Sequence, residues 1–148
     1  RYHNAVKVFD PNYIVRITGD CPLIPSYVIS KMTTLAVKNR YDYVSNVDDF
    51  RTSLDGSDCE VMSRKMFNYV HDVATIPTDR EHVTTIIRRC QPDWARIGAV
   101  VGYFDHSEIK LSVDTDEDLK RVRAAYDSVN RRITEAERRY GRQAIHRL

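Results

Sequence analysis

Two aspartates stand where an acidic side chain is poorly suited to filling a core. Asp20 follows the apolar run Tyr13 to Ile17 within Thr-Gly-Asp-Cys-Pro, and Asp114 closes the alternating stretch Ile109-Lys-Leu-Ser-Val. Both follow segments with strand character, and in open α/β sheets ligands bind beyond the carboxyl ends of the strands. Two carboxylates converging there suit a hard cation such as magnesium, or manganese. Such a cation takes oxygen ligands and typically combines one or two carboxylates with substrate phosphates and water. The spacing alone fits equally a turn residue and a carboxylate set against a helix N-terminus.

The elements that must position these residues alternate. Tyr-Ile-Val-Arg-Ile reads as a strand, and Pro22 and Pro25 lead into a helix over residues 26–39 with Val28, Met32, Leu35 and Ala36 at helical spacing. A second strand is expected over 41–47, a polar loop with an Asp-Gly turn over 48–58, and a short strand over 59–63. Ser63 caps the next helix, and Thr78-Asp-Arg-Glu81 after Pro77 has the form of a capping box opening a helix that carries Val83, Ile86, Ile87 and Cys90. Residues 95–102 read as a strand or hairpin arm and residues 109–114 as another strand. Thr115 then caps a helix with Leu119, Val122, Tyr126 and Val129 on one face. This alternation predicts an α/β architecture on a mostly parallel sheet. Residues 1–130 form the domain, and 131–148 a basic helix or tail.

Composition narrows the setting. The chain has 148 residues, is 42% hydrophobic and 30% charged, and carries a net charge of +2, which gives no strong pull toward nucleic acid or an anionic membrane. No apolar run is long enough for a membrane span. Cys21, Cys59 and Cys90 are odd in number and widely spaced, suggesting neither a disulfide framework nor a zinc site, so a cytoplasmic setting is the default. Cys21 adjoins Asp20 but has no histidine beside it in sequence, so it reads as a packing residue.

Val-Arg-Ile-Thr-Gly-Asp-Cys-Pro-Leu-Ile, Arg-Thr-Ser-Leu-Asp-Gly-Ser-Asp-Cys-Glu-Val, Asp-Arg-Glu-His-Val-Thr and Ser-Val-Asp-Thr-Asp-Glu-Asp-Leu-Lys-Arg-Val occur in that order. Together they resemble the spore-coat polysaccharide branch of the sugar-activating cytidylyltransferases, and more distantly the synthetases of CMP-sialate and of CMP-3-deoxy-manno-octulosonate. The resemblance runs to about Asn130. It implies a Rossmann-like, three-layer nucleotidyltransferase fold (that of the nucleotide-diphospho-sugar transferases), and transfer of a nucleotidyl group from CTP to a sugar with release of pyrophosphate, in surface-polysaccharide synthesis. It also implies a catalytic magnesium held by Asp20 and Asp114. Asp58, Glu60, Arg80, Glu81 and His82 match positions that border the sugar pocket, and Arg16 is expected either to pair with Asp20 or to contact phosphate, the pairing being preferred. The family's glycine- and arginine-rich triphosphate loop, of the form A-R-x-G-S-x-R-L-P-G-K, has no counterpart here. The chain is therefore expected to correspond to the C-terminal part of such an enzyme, with the strand at Tyr13 left at an open sheet edge that a second copy or a partner covers.

Other readings use the same residues. Asp114-Thr-Asp116 is a D-x-D, the metal motif of many sugar-nucleotide glycosyltransferases. A calcium loop starting at Asp114 is excluded, because Leu119 and Ala125 stand where it needs glycine and glutamate. A non-catalytic interaction module would use the basic tail, in which six arginines face two glutamates from Arg131 onward. Nucleic-acid binding by that tail is the minority expectation beside a solvated helix packed on its own domain.

Overall fold

Local sequence accounts for most elements of the computed structural model, which describes residues 2–48 and 50–141. The chain opens with helix α1 (Tyr2–Phe9) and strand β1 (Tyr13–Arg16), whose aromatic and β-branched residues favour a half-buried pleated surface. Helix α2 (Ser26–Asn39) starts directly after Pro25 and ends where Arg40 turns left-handed at φ 52°. Strands β2 (Tyr43–Ser45) and β3 (Glu60–Ser63) follow, then α3 (Arg64–Val73), whose first turn is capped by Ser63 Oγ accepting from Met66 N–H at 3.1 Å.

Next come α4 (Pro77–His82), α5 (Thr85–Arg89), β4 (Ile97–Ala99) and α6 (Asp116–Tyr140). Helix α6 runs unbroken across residue 130, while residues 142–148 of the basic tail lie outside the described residues. No helix among the described residues is long and apolar enough to cross a membrane.

The strands form one sheet in the order β1-β3-β2-β4. The expected mostly parallel sheet is corrected: β3 is antiparallel to both β1 and β2, and only β2 and β4 pair in parallel. The cause is topological. The chain crosses from β1 to β2 through α2 without pairing them, and β3 returns between the two, so β1 and β2 still point the same way. β1 lies at the edge of the sheet with Ile14 buried against the core.

Alternating side chains build two cores. Val44, Cys59 and Val61 face α2 through Met32 and Ala36. Ile14, Tyr43 and Met62 face the opposite way, onto Val6 of α1, Met66, Phe67 and Val70 of α3, and Ile86 and Ile87 of α5. Helices thus cover both faces of the sheet, the three-layer α/β arrangement expected.

Two further expectations are corrected. Residues 109–114 form no strand; their ladder pairing, among the described residues, is an isolated bridge between Lys110 and Asp55. The helix expected to run from Thr78 past Cys90 is two short helices, broken at Val83, a β-branched residue held at φ 52°. Its capping box does not form: α4 begins at Pro77, and no side chain caps it. Pro77, with its preset φ and missing N–H, takes the first helical position and places Thr78 inside the helix.

Candidate functional site

Because β1, β2 and β4 share one direction, their carboxyl ends open on the same edge of the sheet, and three turns meet there. The turn 17–21 leaves β1, the loop 46–58 leaves β2, and the segment 109–115 leads into α6. Backbone hydrogen bonds join them. Val113 N–H donates to the carbonyl of Asp20 at 2.8 Å, Asp55 N–H donates to Ile109 at 2.9 Å, and Leu111 N–H returns to Asp55 at 2.6 Å. Gly56 permits this contact, since it sits at φ +109° and a Cβ there would lie 2.5 Å from the Leu111 carbonyl carbon. Asn46 braces the loop from within, donating to Ser57 O at 2.9 Å and accepting from Cys59 N–H at 2.8 Å.

The aspartates on these turns are not equivalent. Asp114 is exposed and paired with Lys110 at 2.6 Å. Asp118, in the first turn of α6, is buried. It accepts from Lys110 at 2.9 Å, from Arg121 at 2.9 Å, and from the backbone N–H groups of Thr115 and Asp114 at 3.1 and 3.2 Å. The hydrogen bond from Lys110 above all, then the cap and Arg121, hold the Asp118 carboxyl well below the usual carboxylate range. The same contacts, led by Asp114, push the Lys110 ammonium up.

Asp20 is exposed on its turn, with Cys21 Sγ 3.9 Å from its Oδ1. Asp58 meets Arg51 Nη2 at 2.5 Å, yet burial, supplemented by the negative charges of Asp55 and Asp20, pushes its carboxyl up.

Asp20 and Asp114 are thus carried on backbone segments that touch. Among the described residues, no group of three or more His, Cys, Asp or Glu side chains gathers as a metal cage. A pair of solvent-facing carboxylates without a closed cage fits a magnesium-type cation that shares its coordination with phosphate and water, and does not fit structural zinc.

The expected pairing of Arg16 with Asp20 is not found. Arg16 stands directly across from Glu60 in the β1–β3 register and pairs with it. Tyr43 donates to the other oxygen of the same buried carboxylate. Burial works against the Arg16 charge, but the neighbouring Glu60 outweighs it and holds the guanidinium above its ordinary value. Glu60 is thus the acceptor at the centre of a buried polar cluster at the end of β1.

Burial also pushes up both interior thiols, Cys59 to about 11, which leaves Cys21 and Cys59 as packing residues.

Arg80, Glu81 and His82 are exposed on α4. Arg80 Nε donates to Ala74 O at 3.1 Å, and Arg80 lines a cavity of about 320 Å³ with Tyr2, His3, Phe67 and His71, while Asp20, Asp58 and Asp114 lie outside that cavity's lining. The link from this side of the molecule to the turns is Arg88 of α5, which donates to Val47 O at 2.6 Å. A second cavity, of about 200 Å³, lies beside the loop 46–58 and is lined by Tyr27, Lys31, Asn46, Thr52, Phe104 and His106 among others.

Sequence reasoning missed Lys110, Asp118, Tyr43 and Arg51. Asp118 had a usable signal. Thr115-x-x-Asp118 is a capping-box pattern, and it forms with both reciprocal hydrogen bonds. Lys110 was also legible as the partner four residues before Asp114.

No family model matches the chain. It is 30% identical over 135 residues to the uncharacterized protein MJ1063 of Methanocaldococcus jannaschii, a match covering 88% of this chain and 54% of that protein. The chain therefore spans about half the length of this curated relative. A solved cytidylyltransferase from Leptospira borgpetersenii superposes with a TM-score of 0.79 at 25% identity, over 98% of this chain and 65% of that one. The resemblance read from the four motifs and this structural likeness meet at the same place: the chain has the mixed α/β nucleotidyltransferase fold of a cytidylyltransferase.

Proposed function

We propose that this chain carries the cation-binding and sugar-facing part of a sugar cytidylyltransferase. A sugar hydroxyl attacks the α-phosphorus of CTP, the bond to the bridging oxygen breaks, pyrophosphate leaves, and the hydroxyl proton passes to solvent. The observation that carries this reading is the backbone junction of the turns bearing Asp20 and Asp114, at the carboxyl edge of the sheet, in a chain with a cytidylyltransferase's fold. Asp20 and Asp114 would hold magnesium, which when bound supplies Lewis-acid stabilisation of charge developing on the phosphate oxygens.

The remaining work is positioning, and the residues support it. Gly56 lets the loop 54–58 press against 109–112, fixing the two turns relative to each other. Arg51 ties Asp58 and the carbonyls of Ser53 and Leu54 into that loop. Asn46 joins its two ends. The polar and aromatic cavity beside the loop suits a hydroxyl-rich ring, with Tyr27 and Phe104 offering faces and Lys31, Thr52 and His106 offering hydrogen-bonding groups. A product used in surface-polysaccharide synthesis is part of the same reading.

Calorimetric titration of magnesium with CTP tests it. Magnesium-dependent binding that is lost in both Asp20→Ala and Asp114→Ala is expected. Binding that survives both substitutions would overturn the assignment of the two carboxylates.

A further inference from the structure

We propose that Lys110 is a built-in cation at the Asp114 carboxylate: it holds Asp114 in the free chain, and a divalent cation arriving at Asp114 turns it loose to pair with an oxyanion of the ligand. This rests on the reading of Asp114 as a cation-facing carboxylate. Lys110 acts through Asp114 and the ligand, so it is a positioning residue.

Two carboxylates share the Lys110 ammonium, and they are held unequally. Nζ lies 2.6 Å from Asp114 Oδ2 and 2.9 Å from Asp118 Oδ2. Asp118 has other donors besides it, because Arg121 and the N–H groups of Asp114 and Thr115 also donate to its two oxygens. Asp114 is different. Its side chain is 57% exposed, and among the described residues the ion pair recorded for it is the one with Lys110.

The ammonium therefore sits where an incoming cation would approach Asp114. Two cations against one carboxylate repel, so occupancy by a divalent ion and by Lys110 is competitive.

The backbone makes Lys110 suited to move. Its own segment is pinned, since Lys110 forms the bridge with Asp55 and the next residue, Leu111, donates to Asp55 O at 2.6 Å. The head of the side chain is 36% exposed on a flexible four-carbon stem. A fixed base with a mobile charged tip can exchange a carboxylate for a ligand oxyanion without moving the fold. The consequence is coupling. An anion that gives Lys110 another partner raises cation affinity, and by reciprocity the cation raises anion affinity.

The test is manganese binding without nucleotide, read from the electron paramagnetic resonance signal of the free ion. It uses the wild-type chain, Lys110→Met, Lys110→Gln, Lys110→Arg and Asp114→Asn. Both neutral variants are expected to bind manganese about fivefold more tightly, the upper end for release of an exposed ion pair. Lys110→Arg stays near wild type, and Asp114→Asn loses binding in every background. Unchanged or weaker binding in the neutral variants, with binding still lost in Asp114→Asn, would overturn the role of Lys110 and leave Asp114 standing. Equal tightening in Lys110→Arg would make the effect steric and overturn it as well. Wild-type binding indifferent to Asp114→Asn would overturn the reading of Asp114 itself, a failure distinct from the other two.

Discussion

The turns around Asp20, Asp55 and Asp114 and the helix bearing Arg80, Glu81 and His82 both carry charged motifs, but they are held in different ways. The turns exchange backbone hydrogen bonds across long sequence separations, and one glycine is shaped to their contact. The helix is a single short turn and a half, ended by a strained Val83 and anchored from within by buried Asp79, which Arg89 meets at 2.6 Å. Backbone exchange fixes where a carboxylate stands to within a hydrogen bond's tolerance. A charged tripeptide on an exposed helix has no such constraint. The comparison teaches that the motif list alone does not define a site, and that the contacts between motifs do.

The comparison is broken most directly at Gly56. Gly56→Ala forces a side chain into the Leu111 backbone at a positive φ, so a loss of about 3 kcal/mol is expected, read as a lower urea midpoint. Cation binding should fall with it if the turns are one unit.

Acid titration sharpens the same point. The Asp118 carboxyl is depressed in the folded chain, first by Lys110, so it contributes stability above its unfolded pKa of about 3.9 and loses that contribution as pH falls toward the folded value. The wild-type urea midpoint should drop between about pH 4 and pH 2. Asp118→Asn, less stable at neutral pH, should drop less over that window.

Thr115→Ala removes half of the capping box on α6 and should cost about 1 kcal/mol by thermal unfolding. The smallest effect belongs to the other region. Thr78→Ala should change stability by less than about 0.5 kcal/mol, because Thr78 caps nothing. A cost near that of Thr115→Ala would restore the capping box there.

These pairs also mark what could be read from sequence. Helix α2 was legible to its ends because an apolar face at helical spacing follows Pro25 without interruption. Ser63 was legible as a cap because a strand pattern ends on it and a helix pattern starts after it. The directions of the strands were not, since nothing local in Glu-Val-Met-Ser says that it returns between two earlier strands rather than beyond them.

Residues 109–114 alternate as a strand would, yet without a neighbouring strand to complete a ladder the alternation yields one bridge. Thr-x-x-Glu and Thr-x-x-Asp look alike on paper, and the proline one residue before Thr78 decided which of them became a cap. Of the proposed site, the positions of Asp20 and Asp114 after apolar runs were visible in the sequence. Glu60 as the partner of Arg16 required the β1–β3 register, which pairs residues 44 positions apart.

The position of β3 between β1 and β2 has a consequence in time. β1 and β2 are made first but have no bonds to each other, and their common neighbour arrives only with residues 60–63. A chain growing from its N-terminus therefore has no sheet to join until Ser63 is made, and the segment that clasps the Asp20 turn comes some fifty residues later, at Val113. Such delayed, non-local closure predicts slow and cooperative folding in which the two carboxylate turns gain their relative positions in a late step.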